Sequence, residues 1–136
     1  MQIEKQESCP IQSSQDVVVV RHKVRNWVAQ LGLGLIEQTK VVTAASELAR
    51  NTLDYGGGGR CILESVKDEE MGRKGLRLTF EDEGPGIVDL DLALTDGYTT
   101  GGGLGMGLKG ARRLMSEFAI ETKVGEGTRV TVTKWK

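Results

Sequence analysis

Glu47 and Asn51 are the first residues along this chain whose types and spacing suit chemistry. They lie four positions apart in a segment rich in alanine and leucine, so on a helix they project from the same side. The amide oxygen of Asn51 is a suitable ligand for Mg²⁺, and Glu47, one turn earlier, is then placed to take a proton from an attacking hydroxyl. The same spacing is also typical of a solvated helix face with a Glu to Asn hydrogen bond.

A carboxylate followed by closely spaced glycines forms the second group, Asp82-Glu83-Gly84-Pro85-Gly86. The preceding residues alternate apolar and polar from Leu76 to Glu81, which predicts a strand with Asp82 at its end. Gly84 and Gly86 allow a sharp turn and a close approach of a flat ligand to the main chain, while Pro85 stiffens the turn. The segment is also compatible with an ordinary turn.

A glycine-rich segment precedes the last predicted helix and offers backbone N–H groups to an anion. Its composition suits a phosphate cradle that also acts as a lid, and a flexible linker is the alternative. The candidate residues are Gly101, Gly102, Gly103, Leu104, Gly105, Met106 and Gly107. Neither a dinucleotide fingerprint nor a P-loop is indicated, because no strand precedes Gly105 directly and Lys109 is followed by Gly110, not by Ser or Thr.

Composition narrows the class of protein. The chain has 136 residues with 18 basic and 19 acidic side chains, a net charge of -1. We therefore expect one domain, residues 1–136, and no nucleic-acid or membrane partner. No segment has the length or apolar character of a membrane span or signal peptide, which predicts a cytoplasmic protein. Cys9 and Cys61 are far apart in the sequence and are expected to be reduced thiols.

The elements that must position these groups are predicted from periodicity and turn residues. Helices are predicted after Ser13 and Ser14 up to Gly32, from about Ile36 to Tyr55 and from about Leu108 to Met115, with a short amphipathic piece at Leu90–Leu94. Strands are predicted at Ile3–Ile11, Arg60–Val66, Gly75–Glu81, Glu117–Val124 and Thr128–Lys134. The pattern predicts an α+β two-layer sandwich, in which a mixed, mostly antiparallel sheet carries about three helices on one face.

The order of these groups resembles the boxes of the GHKL superfamily of ATPases and kinases, whose ATP-binding domain is the Bergerat fold. The resemblance runs through Glu47-x3-Asn51, Asp82-x-Gly84-x-Gly86, the glycine-rich segment and Gly125-Glu126-Gly127-Thr128, and so covers nearly the whole chain. The sequence looks most similar to the anti-sigma-factor serine/threonine kinases, in particular to stressosome switch kinases of the RsbT type.

The resemblance implies roles at the base end of an ATP site. Asp82 would accept a hydrogen bond from the adenine amino group, and Thr128 would support the same site through water. Gly84 and Gly86 would line the base pocket.

At the phosphate end, the resemblance implies that Asn51 binds Mg²⁺ and that Gly101 to Gly107 close over the phosphates. Glu47 would act as the general base toward a serine hydroxyl. Related kinases hold the terminal phosphate with a basic group near the lid, and Lys109 is the candidate here.

The function implied by the resemblance is that of an ATP-dependent protein serine/threonine kinase in a partner-switching pathway. Its substrates would be STAS-domain scaffold or antagonist proteins, and on release it would bind a downstream regulator such as a phosphatase. An ATP-dependent binding module of the anti-sigma-factor kind, with little kinase activity, is the alternative.

Overall fold

This computed structural model describes the backbone of residues 1–87 and 104–136. Side chains are described for residues 1–87 and 108–136. The helices are α1 (Ser14–Leu31), α2 (Leu35–Asp54) and α3 (Leu104–Leu114). The strands are β1 (Gln2–Ile11), β2 (Gly59–Asp68), β3 (Arg73–Asp82), β4 (Glu117–Lys123) and β5 (Gly127–Trp135). The predicted piece at Leu90–Leu94 lies outside the described residues.

The first helix begins and ends where its sequence places capping residues. Ser13 has an extended backbone, and its side chain accepts a hydrogen bond from the Asp16 N–H, while Asp16 in turn accepts one from the Gln12 N–H. Gly32 ends the helix in the left-handed conformation, with φ of 85°. The apolar stripe between these caps is buried, including Trp27 at 8% exposure, so the predicted amphipathic helix is confirmed.

The second helix packs against the first through small side chains. Ala44, Ala45 and Ala49 are fully buried together with Leu48, which leaves room for α1 and α3 on either side of α2. Tyr55 ends the helix, and Gly57 and Gly58 then turn the chain with positive φ angles. The buried face of α2 therefore fixes the direction of the neighbouring residues Asn51 and Tyr55.

The third helix begins at Leu104, about one turn earlier than the predicted start at Leu108. Glycine is disfavoured inside helices by about 1 kcal/mol relative to alanine, which is why the sequence predicted a loop here. Leu108 and Ala111 are buried at 2% and 0% exposure and anchor the helix to the core. Leu104 to Gly107 therefore belong to the first turn of α3 and not to a loop.

The strands form one sheet in the order β1-β2-β3-β5-β4, and the described pairings are all antiparallel. The predicted hairpins β2–β3 and β4–β5 are confirmed, and β5 inserts next to β3. The helices pack on one face over a continuous core that includes Phe80, Leu78 and Val132. The predicted α+β two-layer architecture is thus confirmed; the sheet was predicted to be mixed and mostly antiparallel, and its described pairings are all antiparallel.

The opposite face of the sheet carries alternating charges close to the end of β3. Glu81 pairs with Arg60 on β2 and Arg129 on β5, at 3.1 and 3.2 Å, and Arg129 reaches Glu121 on β4 at 4.0 Å. Such exposed pairs contribute little stability each. They keep this face polar beside Asp82.

Cys9 and Cys61 are both buried and face each other across β1 and β2 as register partners. Burial raises the pKa of each thiol, most strongly that of Cys61. The two residues are free thiols, as expected, but their proximity depends on the strand register, which spacing in the sequence does not reveal. In the described part of the chain, no helix is long and apolar enough to cross a membrane.

Candidate functional site

A cleft of about 160 Å³ lies between α2, α3 and the end of the sheet where β3 finishes. Its walls are largely apolar side chains from each of these elements, with a few polar groups among them. The lining residues are Leu48, Asn51, Thr52, Tyr55, Gly56, Phe80, Asp82, Pro85, Gly86, Ile87, Leu108, Thr128 and Val130. An apolar cleft with a small number of directed polar groups is the usual form of a small-molecule site.

Asp82 supplies the carboxylate of this cleft. It is the last residue of β3, opposite Gly59 on β2 and Thr128 on β5. Partial burial raises the pKa of Asp82 above its ordinary value, and hydrogen bonds from the backbone N–H groups of Gly84 and Thr128 act in the opposite direction. The Gly84 N–H lies 2.9 Å from Oδ1. Asp82 is therefore held in place by the backbone while its carboxylate remains available as an acceptor.

Glycines make the close packing around Asp82 possible. An added Cβ on Gly56 would lie 2.3 Å from the Cγ of Asp82, and one on Gly84 would lie 2.7 Å from the Cα of Gly56. Gly84 therefore packs behind the carboxylate against Gly56 and is not among the residues that line the cleft. Gly86 does line it and has φ of 77°, in the left-handed region that favours glycine.

Asn51 lines the cleft from α2 and carries an amide atom without a partner. Its Nδ2 is buried and makes no hydrogen bond to any residue that the structure describes. A buried polar group of this kind costs about 1–3 kcal/mol when it stays unpaired, so the amide is a natural contact for a bound ligand. Glu47, one turn earlier on α2, is exposed and lies outside the cleft lining. The structure thus places Asn51 in the same cleft as Asp82 and leaves Glu47 outside its lining.

Thr128 lines the cleft from β5, and Thr122 stands behind it on β4. The two residues are register partners, and their hydroxyl oxygens are 2.9 Å apart. Thr122 Oγ1 also accepts the N–H of Ile87 at 2.9 Å and lies 3.4 Å from the carbonyl oxygen of Gly127. Thr122 therefore links β5 to the segment that follows Gly86.

The predicted phosphate end is described only in part. Gly101, Gly102 and Gly103 lie outside the described residues, while Leu104, Gly105, Met106 and Gly107 start α3. Lys109 is half-buried on α3 and is not among the residues lining the cleft, whereas its neighbour Leu108 is. No group of three or more His, Cys, Asp or Glu residues is placed to hold a metal ion within residues 1–87 and 104–136.

Sequence reasoning missed several residues of this site. Gly56 begins a run of four glycines directly after the predicted helix that ends at Tyr55, and such a run is a signal for close packing of the backbone against another segment. Phe80 and Val130 lie in predicted strands, and no sequence signal indicated that they also line the cleft. Thr122 gave no sequence signal, because its role depends on the β4–β5 register.

A sheet covered on one face by helices, with an acidic acceptor at the end of a central strand and an amide on the facing helix, defines a GHKL-type ATPase domain. The chain belongs to the histidine kinase-, DNA gyrase B- and HSP90-like ATPase family, whose model matches residues 36–136. The resemblance inferred from the ordered boxes is thereby confirmed.

Two relatives within this family are similar to the chain over most of its length. It is 45% identical over 125 residues to the serine/threonine-protein kinase RsbT of Bacillus subtilis, covering 92% of both chains. It is 32% identical over 127 residues to an anti-sigma F factor of Clostridium kluyveri, covering 91% of this chain and 89% of that one.

Solved structures show the same fold at low sequence identity. The RsbU and RsbW domains of a Mycobacterium tuberculosis protein match with a TM-score of 0.60 at 19% identity, over 96% of this chain and 31% of that longer one. The SiaB–SiaC complex of Pseudomonas aeruginosa matches with a TM-score of 0.57 at 17% identity, over 98% of this chain and 91% of the matched chain.

Proposed function

We propose that this chain is a protein kinase that binds ATP in the cleft beside Asp82 and phosphorylates a serine or threonine of a partner protein. The observation that carries the proposal is the pairing, in one cleft, of the half-buried Asp82 carboxylate with the Asn51 amide, whose buried Nδ2 has no partner among the described residues. The identity to a serine/threonine-protein kinase over nearly the full length supports it. Residues 1–136 act as one domain, since one hydrophobic core includes residues from β1 to β5.

Asp82 recognises the base. An ionised carboxylate only accepts hydrogen bonds, so it matches the exocyclic amine of adenine and not the carbonyl oxygen of guanine. Thr128, beside it on β5, supports the base through water. Gly86 lets the main chain approach the ring, and Gly84 gives Asp82 the space and the N–H that hold it in position.

Asn51 fits the magnesium ion that such a kinase requires. Mg²⁺ takes oxygen ligands and usually keeps several waters, so one side-chain amide is a sufficient protein contact. The atom without a partner among the described residues is the donor Nδ2, which suits a phosphate or water oxygen, while Oδ1 would be the atom that ligates the ion. Bound there with ATP, Mg²⁺ would neutralise charge on the phosphate oxygens.

Glu47 takes the proton. As a serine or threonine oxygen bonds to the γ-phosphorus, the bond between that phosphorus and the bridging oxygen breaks, and ADP leaves. The hydroxyl proton passes to the carboxylate of Glu47, which is exposed one helical turn before Asn51 and so is accessible to a protein substrate. Gly101 to Gly107 and Lys109 hold the phosphates in this proposal.

The protein substrates are STAS-domain scaffold or antagonist proteins, and the released kinase binds a downstream regulator such as a phosphatase. Because ATP is supplied inside the cell, the protein acts in the cytoplasm. This partner cycle rests on the family resemblance together with the similarity to the kinase RsbT.

A second candidate function is an ATP-dependent binding module with little kinase activity. Relatives named anti-sigma F factor, at 32% identity over most of the chain, favour it. Both functions require adenine nucleotide in the cleft and differ in whether Glu47 is used.

Calorimetry with ATP and GTP tests the shared step. The wild-type chain should bind ATP and discriminate against GTP, and Asp82→Asn should lose most of that discrimination. A wild-type chain that binds neither nucleotide would refute both functions.

A further inference from the structure

We infer that Thr122 is a positioning residue for base recognition, acting through the hydroxyl of Thr128. Thr128 lines the cleft and Thr122 does not. The Oγ1 atoms of the two residues are 2.9 Å apart. The inference rests on the proposed binding of adenine nucleotide beside Asp82 and adds a residue to that site.

The hydrogen bonds of Thr122 leave few arrangements open. A threonine hydroxyl has one proton and two lone pairs. One lone pair accepts the Ile87 N–H at 2.9 Å. The proton then goes either to Thr128 Oγ1 at 2.9 Å or to the Gly127 carbonyl at 3.4 Å. Either hydroxyl could donate across the 2.9 Å contact. Hydroxyl hydrogen bonds are strongest near 2.7–2.8 Å and the contact to Gly127 is long at 3.4 Å, so we take Thr122 as the donor and Thr128 as the acceptor.

This choice sets the polarity that Thr128 presents to the cleft. When Thr128 accepts the proton of Thr122, its own proton is free to point into the cleft as a donor. Thr128 then donates to the bridging water, whose own protons face the base, so the cleft offers a donor beside the acceptor Asp82. Adenine presents the complementary pair, an amine donor beside the ring-nitrogen acceptor N1. Hypoxanthine reverses both groups, since it carries a carbonyl oxygen and a protonated N1.

Thr122 also has a purely structural role, because its hydroxyl accepts the Ile87 N–H. Removing the hydroxyl would leave that N–H without this acceptor. That role affects the segment after Gly86 and should change the affinity for any purine nucleotide equally. The ratio of the affinities for an adenine and a hypoxanthine nucleotide therefore reports only the effect that Thr122 has through Thr128.

The test uses ADP and inosine diphosphate with the full chain, measured by calorimetry. Thr122→Val replaces the hydroxyl by a methyl group of similar size, and Thr122→Ser keeps the hydroxyl. We expect Thr122→Val to reduce the preference for ADP over inosine diphosphate by about five- to tenfold, the value of one hydrogen bond. Thr122→Ser should preserve the preference. If thermal unfolding shows that Thr122→Val is not folded, Thr122→Ala replaces it in the test. The same reduction in base preference is expected of Thr122→Ala.

A double-mutant cycle with Thr128→Val identifies the path. In the Thr128→Val background, Thr122→Val should change the base preference no further. Two results would overturn the role of Thr122: an unchanged preference for ADP over inosine diphosphate in Thr122→Val, or an equal loss of that preference with and without the Thr128 hydroxyl. In either case, ADP binding by the wild-type chain would still support the proposed site. A wild-type chain that binds no ADP would overturn the site itself and Thr122 with it.

Discussion

Gly56 and Asp82 are in such close contact that no other residue fits at position 56. A Cβ atom there would lie 2.3 Å from Cγ and 2.5 Å from Cβ of Asp82. Gly56 does not have a positive φ, so the constraint is space and not backbone conformation. The glycine run after α2 thus brings the helix end against the carboxylate that we assign to base recognition.

Gly56→Ala should therefore displace Asp82 and weaken adenine nucleotide binding. Overpacking a site of this kind costs about 1–3 kcal/mol, and loss of the same amount of binding energy through a displaced Asp82 is roughly a fivefold to 150-fold loss of affinity. Calorimetric titration with ADP measures it. Gly110→Ala on α3 is the matched control, because a Cβ there meets no described atom within 4 Å. Equal affinity of the Gly56 variant and wild type would contradict the assigned position of Asp82.

Asp82→Asn should make the free protein more stable and the nucleotide complex weaker. Burial disfavours the charged carboxylate in the free fold, and the neutral amide avoids that cost. Its oxygen still accepts a backbone N–H, and the loss of a charged acceptor for the N–H groups of Gly84 and Thr128 is the smaller effect, because the net shift of the Asp82 pKa is upward. Against adenine, however, the amide presents a donor on one side. The expected result is a higher unfolding midpoint without nucleotide and a loss of about tenfold to a hundredfold in ATP affinity. A variant that loses stability and keeps ATP affinity would show that Asp82 is structural.

The raised pKa of Asp82 also predicts a pH dependence. Between its ordinary pKa and the raised folded value, the folded protein holds a proton that the unfolded chain has released, so stability falls as pH rises through this window. The free-energy difference between Asp82→Asn and wild type should grow through the same window and stay constant above it. Denaturant unfolding of both proteins at a series of pH values measures this, and a difference independent of pH would refute it.

ATP binding should show the opposite trend, because only the ionised Asp82 accepts the adenine amine. Affinity should decrease as pH falls through the folded pKa of Asp82. In Asp82→Asn this step should be absent. A decline of the same size in the variant would assign the titration to the nucleotide or to another group.

Asn51→Ala should weaken binding of Mg-ATP far more than binding of ATP in the presence of a chelator. The wild-type amide is buried in the cleft with an atom that has no described partner, so its removal should cost the free protein little stability. Titrations with and without magnesium, together with thermal unfolding, separate these effects. Equal losses of affinity in both titrations would exclude Asn51 as a magnesium ligand.

Periodicity and turn residues predicted the helices, strands and hairpins because each depends on local signals, such as Ser13 and Gly32 at the ends of α1. The start of α3 was wrong because a glycine-rich sequence is a poor helix former, and packing of Leu108 and Ala111 outweighs that preference. Local propensity was thus reliable except where tertiary burial opposed it.

Within the site, Asp82, Asn51, Gly86 and Thr128 were all predicted from motifs and all line the cleft. Gly56 and Thr122 escaped prediction because their importance comes from contacts between distant segments. Such contacts depend on strand register and on how a helix end meets the sheet. The roles assigned to Glu47, Lys109 and the residues from Gly101 to Gly107 stay predictions.

Phosphotransfer from ATP labelled on its γ-phosphate tests the central claim most directly. The chain is incubated with magnesium and a STAS-domain protein encoded near it, and the partner is analysed for phosphoserine and phosphothreonine. We predict labelled partner with the wild-type chain and none with Glu47→Gln, although Glu47→Gln binds ATP equally well. A wild-type chain that binds ATP and the partner but transfers no phosphate would contradict the kinase and favour the binding module.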